Sequence, residues 1–283
     1  MYQSLYRKYR PSNFDEVVGQ EVPVKILKNA IKNNRIAHAY IFAGIRGTGK
    51  TSIAKIFAKT VNCLEPVEMK PCGKCVVCTQ SNNTDIVEID AASNNGVDEI
   101  RELRDKIALV PSISKYKVYI IDEVHMLSTS AFNALLKTLE EPPQHAIFIL
   151  ATTEVHKIPL TILSRCQRLD FKSITIENII KRLEYICSKE EIKISEEATK
   201  EIARLANGGM RDAISLLEQV WAYSDDITIE DVHKMNGTLT KEEIKELIQA
   251  ILSNQVQKCF ELVEKYEEKN VDFAKLVDEI MYF

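Results

Sequence analysis

The chain has 283 residues, of which 45% are hydrophobic and 28% are charged, so it can bury a real core, is not a disordered tail, and suits two domains or three small ones. Lys and Arg number 37 against 41 Asp and Glu, a net charge of −4, which excludes a global positive field that would attract nucleic acid. Because the start has no apolar signal segment and no later stretch approaches the roughly 18 apolar residues of a membrane-spanning helix, we expect a cytoplasmic protein with no membrane partner.

A phosphate-binding sequence follows the first apolar run. The run AYIFAG predicts a strand, and TSIAKIFAKTVN has the apolar spacing of a helix. Between them, GIRGTGKT fits G-x-x-x-x-G-K-[ST], in which backbone N–H groups cradle phosphates, Lys50 reaches the β and γ oxygens, and Thr51 ligates Mg²⁺. The alternative, a chance glycine-rich loop, is disfavoured by the flanking strand and helix. The predicted nucleotide-binding residues here are Gly44, Ile45, Arg46, Gly47, Thr48, Gly49, Lys50, Thr51 and Ser52.

Four of the seven cysteines follow that helix in the spacing Cys63-x8-Cys72-x2-Cys75-x2-Cys78. Four thiolates can close a tetrahedral zinc shell with no open position, which makes a structural site and not a catalytic one. The alternatives are two disulfides or four unconnected thiols. Because a nucleotide-binding motif implies a reducing cytosol, where disulfides seldom persist, we favour zinc bound by all four sulfurs.

Four further apolar runs predict strands, at residues 86–90, 117–124, 146–153 and 168–171. They alternate mostly with helical patterns, which is typical of a parallel sheet covered on both faces. The second run ends in Asp122 and Glu123, at the end of a strand where chemistry is usual in an open α/β sheet. Asp122 can hold Mg²⁺ and Glu123 can polarise the attacking water as general base, although two such acids alone could be plain surface. The third run ends in Thr152 and Thr153, whose hydroxyls could position that water, although β-branched residues are ordinary in strands.

After Phe171 the pattern changes to helices only. One of them, MRDAISLLEQVWAYS, carries Arg211 in its first turn. The positive end of the helix dipole disfavours a cation there unless an anion lies nearby, and a phosphate would be that anion. A pair with Asp212 or a solvent-exposed arginine explains the residue equally well.

Taken together, these motifs strongly resemble those of the AAA+ clamp loaders, and most closely those of the gamma/tau subunits of bacterial DNA polymerase III. The match includes LYRKYRPSNFDEVVGQ, the phosphate loop, the four cysteines, EIDAAS, VYIIDEVHMLS, FNALLKTLEEPP, ILATT, ILSRCQRLDF and GGMRDAISL, and therefore covers nearly the whole chain. The cysteine cluster beside the phosphate-loop helix is the sharpest feature, since the zinc module of that family lies there.

The resemblance implies roles that spacing alone does not supply. Arg165 of LSRC matches the arginine finger, which reaches into the site of a neighbouring subunit and stabilises the transferring phosphoryl charge. Thr153 matches sensor 1 better than its neighbour does, and Arg211 matches sensor 2. Val17 and Val18 match the segment that packs on adenine. The expected catalytic residues are Lys50, Asp122, Glu123, Thr153, Arg165 and Arg211, and the expected cofactors are ATP, Mg²⁺ and Zn²⁺.

The same resemblance implies an α/β fold class: an AAA+ RecA-like parallel sheet with helices on both faces, then a small helical lid and the start of a helical collar domain. Residues 1–172 are expected to form the ATPase domain with the zinc module at 63–78, residues 173–238 the lid, and residues 239–283 the start of the collar. Because the chain stops on apolar, uncapped residues, we expect the collar to be incomplete.

The implied function is that of an ATP-driven motor subunit that opens a sliding clamp and loads it onto primed DNA during chromosomal replication, within the DNA polymerase III holoenzyme. The implied partners are delta and delta-prime subunits and further gamma/tau copies in a hetero-pentamer, the clamp, and the DNA. DNA would be held through its backbone without base readout, with Arg101 and Arg104 as candidate contacts. A solvated amphipathic helix explains that segment at least as well.

Three other functions fit part of the pattern. A branch-migration helicase would share the nucleotide site in a hexameric ring, and the cysteines and the SRC motif count against it. A scaffold that binds ATP only to hold partners together is opposed by intact Lys50, Asp122, Glu123 and Arg165. Polymerase activity in the chain itself would need a second pair of metal-binding carboxylates, which we do not find, so any nucleotidyltransferase activity belongs to the complex.

Overall fold

A computed structural model describes residues 3–80, 83–94, 96, 107, 109–269 and 271–282. These residues form two compact units. The first unit comprises Tyr6–Asn178 and Gly208–Arg211, and the second unit comprises the described parts of Met1–Leu5, Ile179–Asn207 and Asp212–Phe283. The candidate DNA contacts Arg101 and Arg104 lie outside the described residues.

The first unit is built on a five-stranded sheet in which every pair of neighbours is parallel. Its strands are β1 (Ala39–Ala43), β2 (Ile86–Asp90), β3 (Lys117–Asp122), β4 (Ala146–Thr152) and β5 (Gln167–Asp170). They lie in the spatial order β2-β3-β4-β1-β5. The predicted parallel sheet is confirmed, since each strand coincides with one of the apolar runs.

Both faces of this sheet are buried at its central strands. Successive side chains of a strand point to opposite sides, so each of these strands contributes to both faces. Ile41 and Tyr119 belong to one buried cluster, together with Phe132 from the helix that follows β3. Phe42 belongs to the cluster on the other face, together with Phe57 from the helix that follows the phosphate loop. Burial of each such side chain is worth about 1.5–3 kcal/mol, which is why the central strands β1, β3 and β4 are buried over nearly their whole length. The outer strands β2 and β5 carry exposed polar residues.

The described helices before residue 176 are α1 (Leu5–Lys8), α2 (Glu21–Lys32), α3 (Lys50–Asn62), α4 (Val76–Thr79), α5 (Thr129–Glu140) and α6 (Leu160–Leu163). Single 3₁₀ turns lie at Phe14–Glu16, Val124–Met126 and Val155–Lys157. Ser128 caps α5, because its side chain accepts a hydrogen bond from the backbone N–H of Ala131. Helices α3 and α5 cover opposite faces of the sheet, as predicted.

From residue 176 onward the described helices are α7 (Ile176–Glu190), α8 (Glu196–Leu205), α9 (Met210–Tyr223), α10 (Ile229–Asn236), α11 (Lys241–Leu252), α12 (Val256–Glu268) and α13 (Phe273–Tyr282). Thr228 and Thr240 begin α10 and α11 with capping boxes, which fix where those helices start. Among the described helices, none is both long and apolar enough to cross a membrane.

The second unit also contains a small parallel sheet that the sequence did not reveal. Strand β6 (Lys193–Ile194) pairs with β7 (Asp226–Ile227), and the N–H of Ser195 donates to the Ile227 carbonyl oxygen at 3.0 Å. The prediction of helices only after Phe171 is therefore wrong at these positions. Two residues are too few to show the alternation that predicts a strand in a sequence. This pairing therefore could not be predicted from the sequence.

Asp85 fixes the loop that leads into β3. Its carboxylate is buried and accepts backbone N–H groups from Ser112, Ile113 and Ser114 at 2.8, 3.0 and 2.9 Å. Burial alone would raise the pKa of this carboxyl, but the three backbone donors outweigh it and leave the pKa below its ordinary value of 3.8. The ionised form therefore stabilises the fold.

We predict that Asp85→Asn lowers the free energy of unfolding at neutral pH by about 2–3 kcal/mol, because an amide keeps one acceptor oxygen and turns an N–H donor toward backbone donors. Since the folded pKa lies below the unfolded one, this stabilisation is complete above the unfolded pKa and is lost as pH falls through the folded pKa. Urea unfolding at pH 7 and at acidic pH measures both effects. The exposed Asp225→Asn is the control, and a loss of equal size in the two variants would contradict the prediction.

Candidate nucleotide site and cysteine cluster

The phosphate loop joins β1 to α3 at the carboxyl edge of the sheet. At Gly44 a Cβ atom would lie 2.4 Å from the carbonyl oxygen of Phe171, so only glycine fits beside the chain that leaves β5. At Gly49 the φ angle is 96°, in the left-handed region that favours glycine, and Lys50 begins the helix directly after it. The two outer glycines of the motif therefore have separate physical reasons.

Within the loop, the predicted contact residues differ in exposure. Ile45 and Arg46 are exposed, whereas Thr48 is buried and its hydroxyl donates to the Ile45 carbonyl oxygen at 2.9 Å. The carbonyl oxygen of Gly47 accepts the backbone N–H of Met210 at 3.0 Å. This bond ties the beginning of α9 to the phosphate loop.

Lys50 holds its charge inside the loop. Its Nζ donates to the carbonyl oxygens of Gly44 and Ile45 at 2.7 and 2.8 Å, and the residue is only 6% exposed. Burial lowers the pKa of Lys50, while the nearby carboxylates of Glu123 and Asp122 act in the opposite direction. The ammonium is thus poorly hydrated, and a phosphate oxygen would find a strong partner in it.

The two predicted Mg²⁺ ligands are in direct contact. Thr51, in the first turn of α3, donates its hydroxyl to Asp122 Oδ2 at 2.6 Å, although the two residues are far apart in sequence. Asp122 is the last residue of β3. A hydroxyl and a carboxylate oxygen side by side are the hard ligands that Mg²⁺ takes beside substrate phosphates, so these residues fit the ion.

Glu123 follows β3 in an unusual backbone conformation. Its φ of 46° lies in the left-handed region, which is uncommon for a residue with a side chain and points to a functional constraint. Thr153, directly after β4, donates its hydroxyl to Glu123 Oε2 at 3.1 Å. Thr152 is fully buried, and its hydroxyl bonds His125 and the backbone N–H of Glu154. These contacts favour Thr153 over Thr152 as the residue that matches sensor 1.

Arg211 lies at the start of α9, next to the residue that bonds the phosphate loop. Its guanidinium carbon is 4.9 Å from the centre of the Tyr6 ring, a cation–π distance. Sequence reasoning missed Tyr6, because a ring that stacks on a distant arginine has no signal in local spacing. Arg211 is exposed, so it is placed where an anion bound at the loop could meet it.

The segment before α2 lies against the start of the site. Val17 and Val18 are half-buried, and Val17 packs on the core between the sheet and α3. Gln20 is buried and its side chain bonds the backbone of the residue after Phe171, which anchors the segment near Gly44. Arg10, which the sequence did not single out, donates to Ser52 Oγ at 3.0 Å and brings a cation to the first turn of α3.

Arg165 lies at the opposite edge of the sheet. It precedes β5, whose first residue is level with Tyr40 near the beginning of β1, whereas the phosphate loop follows the end of β1. The four residues of β5 therefore hold Arg165 about 13 Å or more from the loop of its own chain. Its guanidinium pairs with Glu140 and donates to the Thr161 carbonyl oxygen, both at 2.7 Å.

The four predicted cysteines come together in the segment that runs from the end of α3 into α4. Their sulfur atoms all lie within 4.8 Å of one another, and the Cys63–Cys75 and Cys72–Cys78 pairs are each 4.0 Å apart. A tetrahedral zinc site with Zn–S bonds of about 2.3 Å needs sulfurs roughly 3.8 Å apart, so the cluster fits the ion. A backbone N–H from Leu64 lowers the pKa of Cys75 to about 6, whereas burial raises that of Cys78 to about 12.

Solved structures of low sequence identity share this fold. The structure of the RuvB Holliday junction branch migration motor of Thermotoga maritima aligns with a TM-score of 0.59 and 22% identity, over 87% of this chain and 80% of its own. A variant of the same protein aligns with a TM-score of 0.60 and 23% identity, over 87% and 80%. The sheet order, the phosphate loop and the acids after β3 define the AAA+ fold.

Sequence relatives identify the family within that class. The profile for "DNA polymerase III, delta subunit" matches residues 19–175, and that for "DNA polymerase III clamp loader subunit, ATPase lid domain" matches residues 178–226. DNA polymerase III subunit tau of Bacillus subtilis is 51% identical over 100% of this chain and 51% of its own length. The corresponding subunit of Escherichia coli is 42% identical over 99% and 44%. Subunit gamma of Buchnera aphidicola from Schizaphis graminum is 43% identical over 100% and 79%.

The chain therefore belongs to the DNA polymerase III gamma/tau family. It spans about half the length of the Bacillus and Escherichia relatives.

We predict that Gly44→Ala destabilises the protein by at least about 2 kcal/mol, because the new methyl group would overlap the Phe171 carbonyl oxygen. Gly49→Ala is the matched control: nothing lies within 4 Å of a Cβ there, so only the positive φ costs stability, about 1 kcal/mol. Guanidinium unfolding of both variants measures the difference. Equal losses would mean that the close approach at Gly44 does not govern the loop.

Proposed function

We propose that this chain is an ATP-hydrolysing motor subunit of a clamp loader, which opens a sliding clamp and loads it onto primed DNA during chromosomal replication. The observation that carries the proposal is that the phosphate loop, the Thr51–Asp122 contact and the Thr153–Glu123 contact lie at one edge of a single sheet, in a member of this family. Those three elements are what cleavage of a nucleoside triphosphate requires: phosphate binding, a metal site and a base for water.

Hydrolysis follows from the roles of these side chains. Lys50 and the loop N–H groups bind the β and γ phosphate oxygens. Thr51 and Asp122 would hold Mg²⁺, which when bound would offset the phosphate charge. Glu123 accepts a proton from water as the water oxygen bonds to the γ phosphorus and the bond from that phosphorus to the bridging oxygen breaks, which yields ADP and phosphate. Thr153 holds the Glu123 carboxylate in place for this step.

The remaining predicted contacts surround the triphosphate from other elements. Arg211 would approach the phosphates from the start of α9, which the Met210–Gly47 bond already ties to the loop. Val17 and Val18 would pack on adenine, consistent with their half-burial beside the core. Residues 1–172 would form the ATPase domain and residues 173–238 the lid. Residues 239–283 would form the start of a collar that assembles the ring.

Arg165 would complete the site of a neighbouring subunit. Its position beyond the amino end of β5 keeps it away from the phosphates of its own chain, so a finger role requires a second subunit. This geometry supports composite sites in a hetero-pentamer of gamma/tau copies with delta and delta-prime subunits. DNA polymerase activity would then belong to the holoenzyme and not to this chain.

The sliding clamp and primed DNA are the proposed targets of the assembled ring, in the cytoplasm. Because the net charge is −4, binding of DNA would depend on local groups that contact the phosphate backbone and not on a global positive field. ATP binding would assemble the state that grips clamp and DNA, and hydrolysis would release both.

The cysteine cluster would hold one structural zinc ion. Support comes from the mutual distances of the four sulfurs and from the chemistry of a four-thiolate shell, which leaves no open position for a substrate. Lys70, inside the cysteine segment, pairs with Asp15 at 2.6 Å, so the zinc module would also brace the segment that precedes Val17.

We predict that ATP turnover is strongly stimulated when this chain is combined with delta and delta-prime subunits, clamp and primed DNA. Arg165→Ala should abolish the stimulation, about 10³-fold in kcat, because a finger stabilises charge only in the transition state. Binding of a fluorescent ATP analogue should persist. Arg168→Ala, an exposed arginine nearby that pairs with Asp170, is the control. Turnover that the partners do not change, or that Arg165→Ala leaves intact, would contradict the composite site.

We predict about one zinc per chain by elemental analysis of reduced protein, and its loss in Cys75→Ser, because three thiolates leave a tetrahedral shell open. Cys259→Ser, a half-buried thiol on α12, should keep the metal. Reduced wild type without zinc, or equal metal content in the two variants, would count against the four-thiolate site.

A further inference from the structure

His125 bridges the ends of β3 and β4 behind the proposed general base. It lies in the 3₁₀ turn that follows Glu123, and its side chain is only 7% exposed. Its Nδ1 atom is 3.1 Å from Thr152 Oγ1 and 3.4 Å from Glu123 Oε2. Its Nε2 atom is 3.3 Å from Glu154 Oε1. One imidazole thus contacts the carboxylate after β3 and both a hydroxyl and a carboxylate at the end of β4.

The surroundings constrain which nitrogen carries hydrogen. Each ring nitrogen faces a carboxylate oxygen, Nε2 that of Glu154 at 3.3 Å and Nδ1 that of Glu123 at 3.4 Å, so a nitrogen that carries hydrogen attracts its carboxylate and a bare nitrogen repels it. Thr152 Oγ1 already accepts the backbone N–H of Glu154 at 3.0 Å, and its hydroxyl can either donate to Nδ1 or accept from it. The Nδ1 side of the ring, which faces Glu123, is therefore held in place by Thr152 in both arrangements.

The charged groups on each side of the ring are few and asymmetric. On the Nδ1 side lies Glu123, which also accepts the Thr153 hydroxyl. On the Nε2 side lies Glu154, which is paired on its outer face with Lys157 at 2.9 Å and lies 3.6 Å from His156. Glu154 is thus held by the turn that follows it. Glu154 contacts His125, and His125 contacts Glu123.

We propose that His125 is a positioning residue for Glu123: with hydrogen on Nδ1 it holds the Oε2 atom of that carboxylate, which also accepts the Thr153 hydroxyl, and the ring is itself fixed by Thr152 and Glu154. The catalytic consequence rests on the proposed ATP hydrolysis, in which Glu123 is the base. A carboxylate oxygen contacted by two side chains is kept from swinging away from the attacking water, and small displacements of a base slow the chemical step more than they weaken substrate binding.

The contact itself can be tested without catalysis. In protein labelled with ¹⁵N-histidine, Glu123→Gln removes the charge that faces Nδ1 while keeping the shape of the side chain. The Nδ1 resonance of His125 should shift, while those of His145, which lies against the Ile107 carbonyl oxygen, should not. An unchanged His125 resonance would overturn the proposal.

The catalytic role is tested by two amide replacements that keep different halves of the ring. In His125→Asn the amide lies near the position of Nδ1, and in His125→Gln it lies near that of Nε2. We expect kcat for ATP in the assembled complex to fall less than about threefold in the Asn variant and about tenfold or more in the Gln variant and in His125→Leu, with KM within about twofold throughout. Lys200→Ala, an exposed residue of α8 that pairs with Glu196, is the control and should leave kcat unchanged.

A purely structural role gives a different order. If His125 only fills space, the larger Gln and Leu side chains should preserve kcat better than Asn, and losses should follow the melting temperature; that order would overturn the positioning role. If the wild-type complex does not hydrolyse ATP at all, the proposed function fails, and with it the catalytic consequence, whereas the nitrogen resonances still decide whether His125 holds Glu123.

Discussion

Parallel pairing of the strands determines where the functional groups of the first unit can lie. Ala43 at the end of β1 is level with Thr152 at the end of β4, and Ile121 of β3 is level with Leu150 of β4. Because all three strands run in one direction, the loop after β1, the acids after β3 and the hydroxyls after β4 leave the sheet at the same edge. Short side chains such as Thr51 and Asp122 can then touch, although they are far apart in sequence.

At this edge, charged groups that would be costly to bury alone lie next to groups of opposite charge. Lys50 is buried, which disfavours its ammonium, but two carboxylates nearby act against that penalty. The same ammonium is bonded by two carbonyl oxygens of the loop, and one of the acids is bonded by Thr51. A site with one cation, two acids and bonded hydroxyls remains stable in the fold while it keeps strong electrostatic partners for a phosphate and a metal.

The sequence predicted the parts of this site that depend on local spacing. The phosphate loop, the acids after β3 and the four cysteines each have a short pattern with a physical reason, and the structure brings each set together. It did not predict contacts between distant segments, such as Tyr6 on Arg211, Arg10 on Ser52, or the ring of His125 between two carboxylates. Those depend on the register and packing of the sheet, which leave no period in a single sequence. The pairing of β6 with β7 was missed for a related reason, since two residues cannot show alternation.

Arg165 already forms an ion pair with Glu140. Any other anion that binds this guanidinium must replace the Glu140 carboxylate. A neighbouring molecule that takes up this guanidinium must displace a carboxylate that already lies 2.7 Å away, so the net gain is the difference between two ion contacts and not the worth of one. A triphosphate carries more negative charge than a single carboxylate and can win this competition, whereas a neutral surface cannot. In the proposed composite site, this competing contact would favour a neighbour that holds nucleotide.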